Sequence, residues 1–150
     1  MSARNHVTIE FPAIAQNVEF ARVAVACFAS QIDSFTMEEI DDIKLIVSEA
    51  VSNVVLHGYD SPGGVVRVHT AIDGDVLTIT VEDTGRGIAD VDQARQPAFT
   101  TSPDRMGMGF TIMEALSDQL DVSSRPGAGV QVTMRKAPRM TGSEEHERGA

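Results

Sequence analysis

Three short stretches of this chain hold residue types that could do chemistry. In Ser48-Glu49-Ala50-Val51-Ser52-Asn53-Val54-Val55-Leu56-His57, the residues Glu49, Asn53 and His57 recur at every fourth position. On a helix that spacing puts them on one face. Glu49 offers a carboxylate that can take a proton. Asn53, one turn on, offers an amide oxygen of the hard kind that Mg2+ accepts beside water and phosphate oxygens. The plain alternative is a polar stripe facing solvent. His57 reads as a helix-end group that meets terminal carbonyls. The second stretch is Asp83-Thr84-Gly85-Arg86-Gly87. It can be an ordinary turn. It can also be a carboxylate that accepts a hydrogen bond from an exocyclic amino group, with Gly85 and Gly87 letting a base approach the backbone. The third is Gly107-Met108-Gly109-Phe110. Glycines before a helix start expose amides and the positive dipole end to a phosphate, or simply end a loop. Arg105, just before them, can meet a phosphate oxygen or face solvent.

The elements that must position these residues follow from periodicity and turn signals. Val7 to Phe11 alternates as a half-buried strand, which Pro12 ends. Ile14 to Ile32 carries apolar residues at helical spacing. Thr36 and Glu39 form a capping box that opens a helix from about Met37 to about His57, with Gly58 suited to the left-handed position past its end. Val65 to Ala71 and Val76 to Glu82 read as strands, with Asp73-Gly74 as the hairpin signal. Asp83 to Gly109 has little periodicity, and a stretch of that length is usually functional. Phe110 to Asp118 reads as a helix. Leu120 to Ser123 and Val130 to Met134 read as a closing hairpin around Arg125-Pro126-Gly127. From Ala137 the chain is polar and reads as a frayed tail, so residues 1–136 are expected to form the domain and 137–150 the tail. The simplest packing is α+β, with helices backing one side of a mixed, mainly antiparallel sheet.

Composition narrows the function classes. The chain has 150 residues, enough for one domain with a real core. Its 42% apolar content excludes a disordered chain. Twelve basic against twenty-two acidic residues give a net charge of −10. That argues against non-specific nucleic-acid binding, which depends on basic patches. The excess acid points to solubility or a basic partner surface. No apolar run is long enough to span a membrane. Met1 to Glu10 lacks the apolar stretch of a signal peptide. Cys27 is the single cysteine, which fits a reducing cytoplasm. A cytoplasmic location without direct nucleic-acid or membrane contact is expected.

The order of the three stretches lifts the signal: a helix with Glu-x-x-x-Asn, a strand ending in Asp-x-Gly-x-Gly, then Gly-x-Gly at a helix start. In this order the chain resembles the GHKL ATP-binding superfamily, whose domain is the Bergerat fold. It lacks a Walker loop. Three stretches look like the sporulation-type anti-sigma serine kinase family: Ser48 to Asn53 with His57-Gly58-Tyr59, Ala94 to Thr101, and Gly107 to Glu114. The resemblance covers roughly Val7 to Met134. It implies ATP or ADP with Mg2+ as cofactors. It lays Glu49 on the family's general base, Asn53 on its Mg2+ ligand and Asp83 on its adenine-binding carboxylate, with Gly85 and Gly87 beside the base. Thr100 and Thr101 fall in the ATP lid, Arg105 on the arginine facing the γ-phosphate, and Gly107 and Gly109 against the phosphates. Arg22 matches a partner-docking position. Two departures stand out. Val130 replaces a threonine that helps hold the adenine-binding Asp, which leaves Thr133 and Thr80 as substitute hydroxyls. The lid is short, with Ser102-Pro103-Asp104 between Thr101 and Arg105.

The resemblance implies an anti-sigma factor that binds and inhibits a sporulation-type (F-type) sigma factor. It also implies phosphorylation of a serine on an anti-anti-sigma antagonist, and a homodimer. One alternative is a binding module that holds nucleotide without significant kinase activity. Another is a detached histidine-kinase catalytic domain, against which stands the absence of any dimerising helix with an acceptor histidine. The length argues against chaperone- or gyrase-like ATPases, which need large extra domains.

Overall fold

A computed structural model describes residues 4–59, 63–85, 106–125 and 128–139. The elements run β1 (Arg4–Pro12), α1 (Gln16–Ala29), α2 (Met37–Asn53), a π turn (Val54–Gly58), β2 (Val65–Asp73), β3 (Val76–Glu82), α3 (Met106–Leu116), β4 (Gln119–Arg125) and β5 (Gly129–Lys136). The strands form one sheet in the order β1-β2-β3-β5-β4. All four pairings are antiparallel, so the described sheet has no parallel component. No helix among the described residues is long and apolar enough to cross a membrane.

Strand alternation decides which face is covered. Val66, Val68, Thr70 and Ile72 of β2, Leu77, Ile79 and Val81 of β3, and Val132 and Met134 of β5 are all buried. Their outward neighbours carry polar groups such as Arg67, Glu82 and Gln131. The helices pack on the apolar face, α1 on α2 and β2, and α2 on α3 and β3. Ile43, Ile46, Val47 and Val51 of α2 are fully enclosed. Burying each such side chain contributes about 1.5–3 kcal/mol. The edge strand β1 departs from its half-buried pattern, because only Phe11 in it is buried.

The start of α2 is fixed locally. Thr36 is extended, its hydroxyl accepts from the Glu39 N–H at 3.1 Å, and Glu39 Oε1 accepts from the Thr36 N–H at 3.1 Å. A cap of this kind is worth about 1 kcal/mol. At the other end the helix widens into the π turn. Gly58 is not left-handed, since the positive-φ glycines described are Gly63, Gly74 and Gly129. Tyr59 then leaves in an extended conformation. The hairpin between β2 and β3 turns at Gly74-Asp75, because Asp73 still pairs with Val76. It is therefore shifted by one from Asp73-Gly74. The third helix begins at Met106, four residues ahead of Phe110, so Gly107 and Gly109 lie inside its first turn. Its C-terminus ends on Lys136, whose buried Nζ donates to the Leu116 carbonyl at 2.7 Å. A cation there complements the helix dipole. Residues 137–139 return to α2, where the Arg139 N–H donates to Glu39 Oε2 at 3.0 Å.

Candidate functional site

Glu49 and Asn53 stand one turn apart at the end of α2. Glu49 is buried although it is a carboxylate, because its side of the helix is otherwise Ile46, Ala50 and Val51. The solvent-stripe alternative therefore fails for Glu49. The Asn53 side-chain nitrogen is also buried and has no hydrogen-bond partner among the described residues. An unpaired buried amide destabilises a fold by about 1–3 kcal/mol unless something absent pairs it. The two ends of an amide exchange by a half-turn flip, so Asn53 suits an anionic oxygen on its nitrogen or a cation on its oxygen.

The first turn of α3 passes directly over this pair. A Cβ placed on Gly109 would lie 3.2 Å from Glu49 Oε2, 3.2 Å from Asn53 Nδ2 and 3.3 Å from Asn53 Oδ1. Glycine thus keeps the α3 backbone and its first-turn amides beside both side chains. Those amides have no intrahelical acceptor and carry the positive end of the dipole. This explains why glycines, poor helix formers, open α3.

The Asp83 loop closes the arrangement from the sheet. Asp83 is buried, and its N–H donates to the Val130 carbonyl at 3.0 Å, which extends the β3–β5 ladder by one rung. Its Oδ1 accepts the Gly85 N–H at 2.8 Å. Burial raises the Asp83 pKa, and hydrogen bonds with the backbone of Gly85 and Val130 only partly offset that. The chain is packed backbone to backbone here. A Cβ on Gly85 would fall 1.6 Å from the Gly58 carbonyl oxygen, and one on Gly129 would fall 2.1 Å from the Asp83 carbonyl oxygen. The π turn after Asn53 is what delivers Gly58 to this contact, and such turns recur at functional sites.

Glu49, Asn53 and Gly109 therefore come together, and Gly58 links them to Asp83 and Gly85. Gly107 lies in the same first turn of α3. Arg22 stands apart on α1, ion-paired with Glu19. Gly87, Thr100, Thr101 and Arg105 lie outside the described residues. Thr80 and Thr133 do not replace the hydroxyl lost at Val130. They face each other across β3 and β5, 3.4 Å apart, on the sheet face opposite Asp83, because strand side chains alternate. His57 is buried within the π turn. Tyr59 is a site residue that spacing did not reveal. Its hydroxyl accepts the Thr84 N–H at 3.1 Å and donates to the Val65 carbonyl at 2.6 Å, tying the Asp83 loop to β2. Only its place in His57-Gly58-Tyr59 marked it in the sequence.

The residues fit a nucleotide with a divalent cation. The orphaned Asn53 amide, the space kept open by Gly109 and the buried Asp83 acceptor each match a different part of such a ligand. Among the described residues no three His, Cys, Asp or Glu side chains gather into a cation cage, so a cation held at Asn53 would take the rest of its shell from ligand oxygens and water.

This α+β sandwich, with Glu, Asn, Asp and Gly-x-Gly meeting on its helical side, defines the class. The family model for the histidine kinase-like ATPase domain matches residues 11–136. The catalytic domain of the histidine kinase ThkA superposes with a TM-score of 0.55 at 14% identity, covering 88% of this chain and 96% of that one. The RsbU and RsbW domains of Rv1364c from Mycobacterium tuberculosis superpose with a TM-score of 0.63 at 23% identity, covering 89% of this chain and 32% of that one. Among curated proteins, the anti-sigma F factor of Halalkalibacterium halodurans is 48% identical over 89% of this chain and 92% of its own length. That of Clostridium acetobutylicum is 47% identical over 88% and 93%, and that of Pasteuria penetrans 50% identical over 89% and 91%. The chain belongs to the anti-sigma F factor branch of the histidine kinase-like (GHKL) ATPase family.

Proposed function

We propose that this protein is an ATP-using anti-sigma factor that inhibits a sporulation-type sigma factor and phosphorylates a serine of its antagonist. The observation that carries the proposal is the meeting of buried Glu49, the unpaired Asn53 amide and Gly109 beside the Asp83 loop. The relatives' name, anti-sigma F factor, supplies the partner class. ATP with Mg2+ supplies the phosphoryl group and the charge that the site must balance. Asp83 accepts a hydrogen bond from the base, and Gly85 leaves room beside it. Asn53 holds the cation, and the α3 amides near Gly107 and Gly109 donate to anionic oxygens. Glu49 orients the incoming serine hydroxyl and takes its proton on a carboxylate oxygen. Gly87, Thr100, Thr101 and Arg105 enter from the sequence resemblance alone, as lid and γ-phosphate contacts. Arg22 and a homodimer enter in the same way, the former as a docking contact.

The test is phosphotransfer from radiolabelled ATP to partners captured with the full chain. Wild type should label one small partner on an acid-stable phosphoserine. Glu49→Gln should lose transfer about 100-fold or more while keeping nucleotide, and Asn53→Ala should lose both. Sigma binding without any transfer by wild type would leave only a nucleotide-dependent binding module. Acid-labile phosphohistidine on the partner would make the chain a histidine-kinase domain instead.

A further inference from the structure

The sheet face turned away from the helices carries two histidines that the Glu49 cluster does not use. β1 and β2 pair in continuous antiparallel register, with Thr8 opposite His69 and His6 opposite Ala71. His6 and His69 are therefore diagonal neighbours. They lie on the face opposite buried Val68 and Thr70, because strand side chains alternate. Their ring centres are 5.8 Å apart, with the planes tilted by 38°. His6 is exposed and His69 half-buried. His69 Nδ1 is 2.6 Å from Thr8 Oγ1. With its proton on Nδ1, His69 donates to that hydroxyl and keeps a lone pair on Nε2. The charged neighbours on this face are already matched. Arg4 pairs with Asp73 at 3.4 Å, and Arg67 with Glu10 and Glu82 at 3.1 Å each. Neither ring has a carboxylate partner among the described residues.

We propose that His6 and His69 form a binding site for a borderline-soft divalent ion of the Zn2+ class. Neutral imidazole nitrogen suits Zn2+, Ni2+ and Cu2+, whereas Mg2+ takes oxygen. Zn2+ binds an imidazole nitrogen at about 2.0–2.1 Å, which puts the ion about 3 Å from each ring centre. Two rings that share one ion at the angles of a four-coordinate shell then stand about 5–6 Å apart. The observed separation falls in that range without movement of the strands. Thr8 plays the part that outer partners play at metal centres: it fixes the ring and the tautomer of a ligand histidine. Water fills the remaining positions, and the net charge of −10 favours a cation. Bound there, the ion ties the edge strand β1, in which only Phe11 is buried, to its neighbour β2.

Zinc chloride, titrated into the isotopically labelled full chain in excess Mg2+ and followed by amide NMR, tests the site. All proteins carry His146→Ala, which removes the rival ligand in Glu144-Glu145-His146-Glu147. Excess Mg2+ fills oxygen sites. Saturable shifts should centre on Asn5 to Thr8 and Val68 to Thr70, and the melting temperature should rise with Zn2+. Adding His6→Ala or His69→Ala should remove these shifts, while the rest of the spectrum stays unchanged and shows an intact fold. Thr8→Val keeps the volume and removes the hydroxyl, so Zn2+ should bind about 10- to 100-fold more weakly. The absence of saturable shifts at these amides overturns the proposal. Equal Zn2+ affinity after His6→Ala or His69→Ala also overturns it, since the ion then binds elsewhere. Undiminished affinity in Thr8→Val overturns the positioning role of the hydroxyl.

Discussion

Replacing Asp83 by Asn separates recognition from folding at the proposed nucleotide site. The Asp83 Oδ1 is occupied by the Gly85 N–H at 2.8 Å. An asparagine can keep that bond through its own oxygen, but it then turns an NH2 group toward the base. Two donors face each other, and the amide cannot flip without orphaning Gly85. The lost interaction is a hydrogen bond to a charged acceptor, worth about 1.5–3 kcal/mol, so ATP should bind about 10- to 150-fold more weakly. Stability should move the other way. Burial raises the Asp83 pKa in the folded chain above its ordinary value of 3.8. The folded state then binds that proton more tightly than the unfolded state, and stability falls as pH rises between the two values. Above the folded pKa the wild type carries the whole penalty, and Asn carries none. The variant should therefore melt at or above the wild-type temperature at pH 7, and the difference should vanish as the pH falls below 3.8. Calorimetric titration with ATP and thermal melts at the two pH values measure both. Unchanged ATP affinity refutes the base-binding role. A large drop in melting temperature at pH 7 refutes the view that this carboxylate is held against a folding penalty.

Tyr59→Phe keeps the ring and removes the hydroxyl that ties Thr84 to Val65. With two hydrogen bonds lost at about 0.5–1.5 kcal/mol each, ATP affinity should fall by up to about 5- to 160-fold, and unchanged affinity on titration would show that the loop needs no such tie. Glu39→Ala should lower the melting temperature at pH 7 by about 2–8 °C, from about 1–2 kcal/mol of lost capping and Arg139 contact. Burial raises the Glu39 pKa, but hydrogen bonds with the backbone of Thr36 and Arg139 and with the Thr36 side chain outweigh it and leave it below 4.5. The stabilisation is therefore present above 4.5 and lost as pH falls through the folded value, so melts of the two proteins should converge in acid. A gap independent of pH would assign the loss to packing alone.

What could be read from the sequence was whatever local chemistry decides. The Thr36–Glu39 box, the apolar spacing of α2 and the alternation of β2 and β3 each act within a few residues, and each element stands where those signals put it. The misplaced features are set by tertiary contact. Gly58 looked like a helix stop, yet it is held in a π turn against Gly85 and Asp83. The start of α3 was hidden because glycine propensity argues against a helix, while the approach to Glu49 and Asn53 requires glycine there. Tyr59 carried no signal in spacing, since both its hydrogen-bond partners lie beyond its own element. Thr80 and Thr133 were candidates only while strand phase was left out of account.

The distribution of broken local rules bears on whether the Glu49 cluster is functional or structural. Sequences that fold well agree with their structures at every level, and departures collect where function demands them. Here a buried carboxylate, an unpaired amide, glycines in a helical first turn, a widened helical turn and a carboxylate with raised pKa all fall on four elements that meet at one place. The unpaired amide and the raised carboxylate pKa each mark a cost to folding, and both fall where the ligand would sit. Lys136 is also buried, but it lies away from that meeting place, and its Nζ on a carbonyl at the end of α3 is explained by the helix end alone.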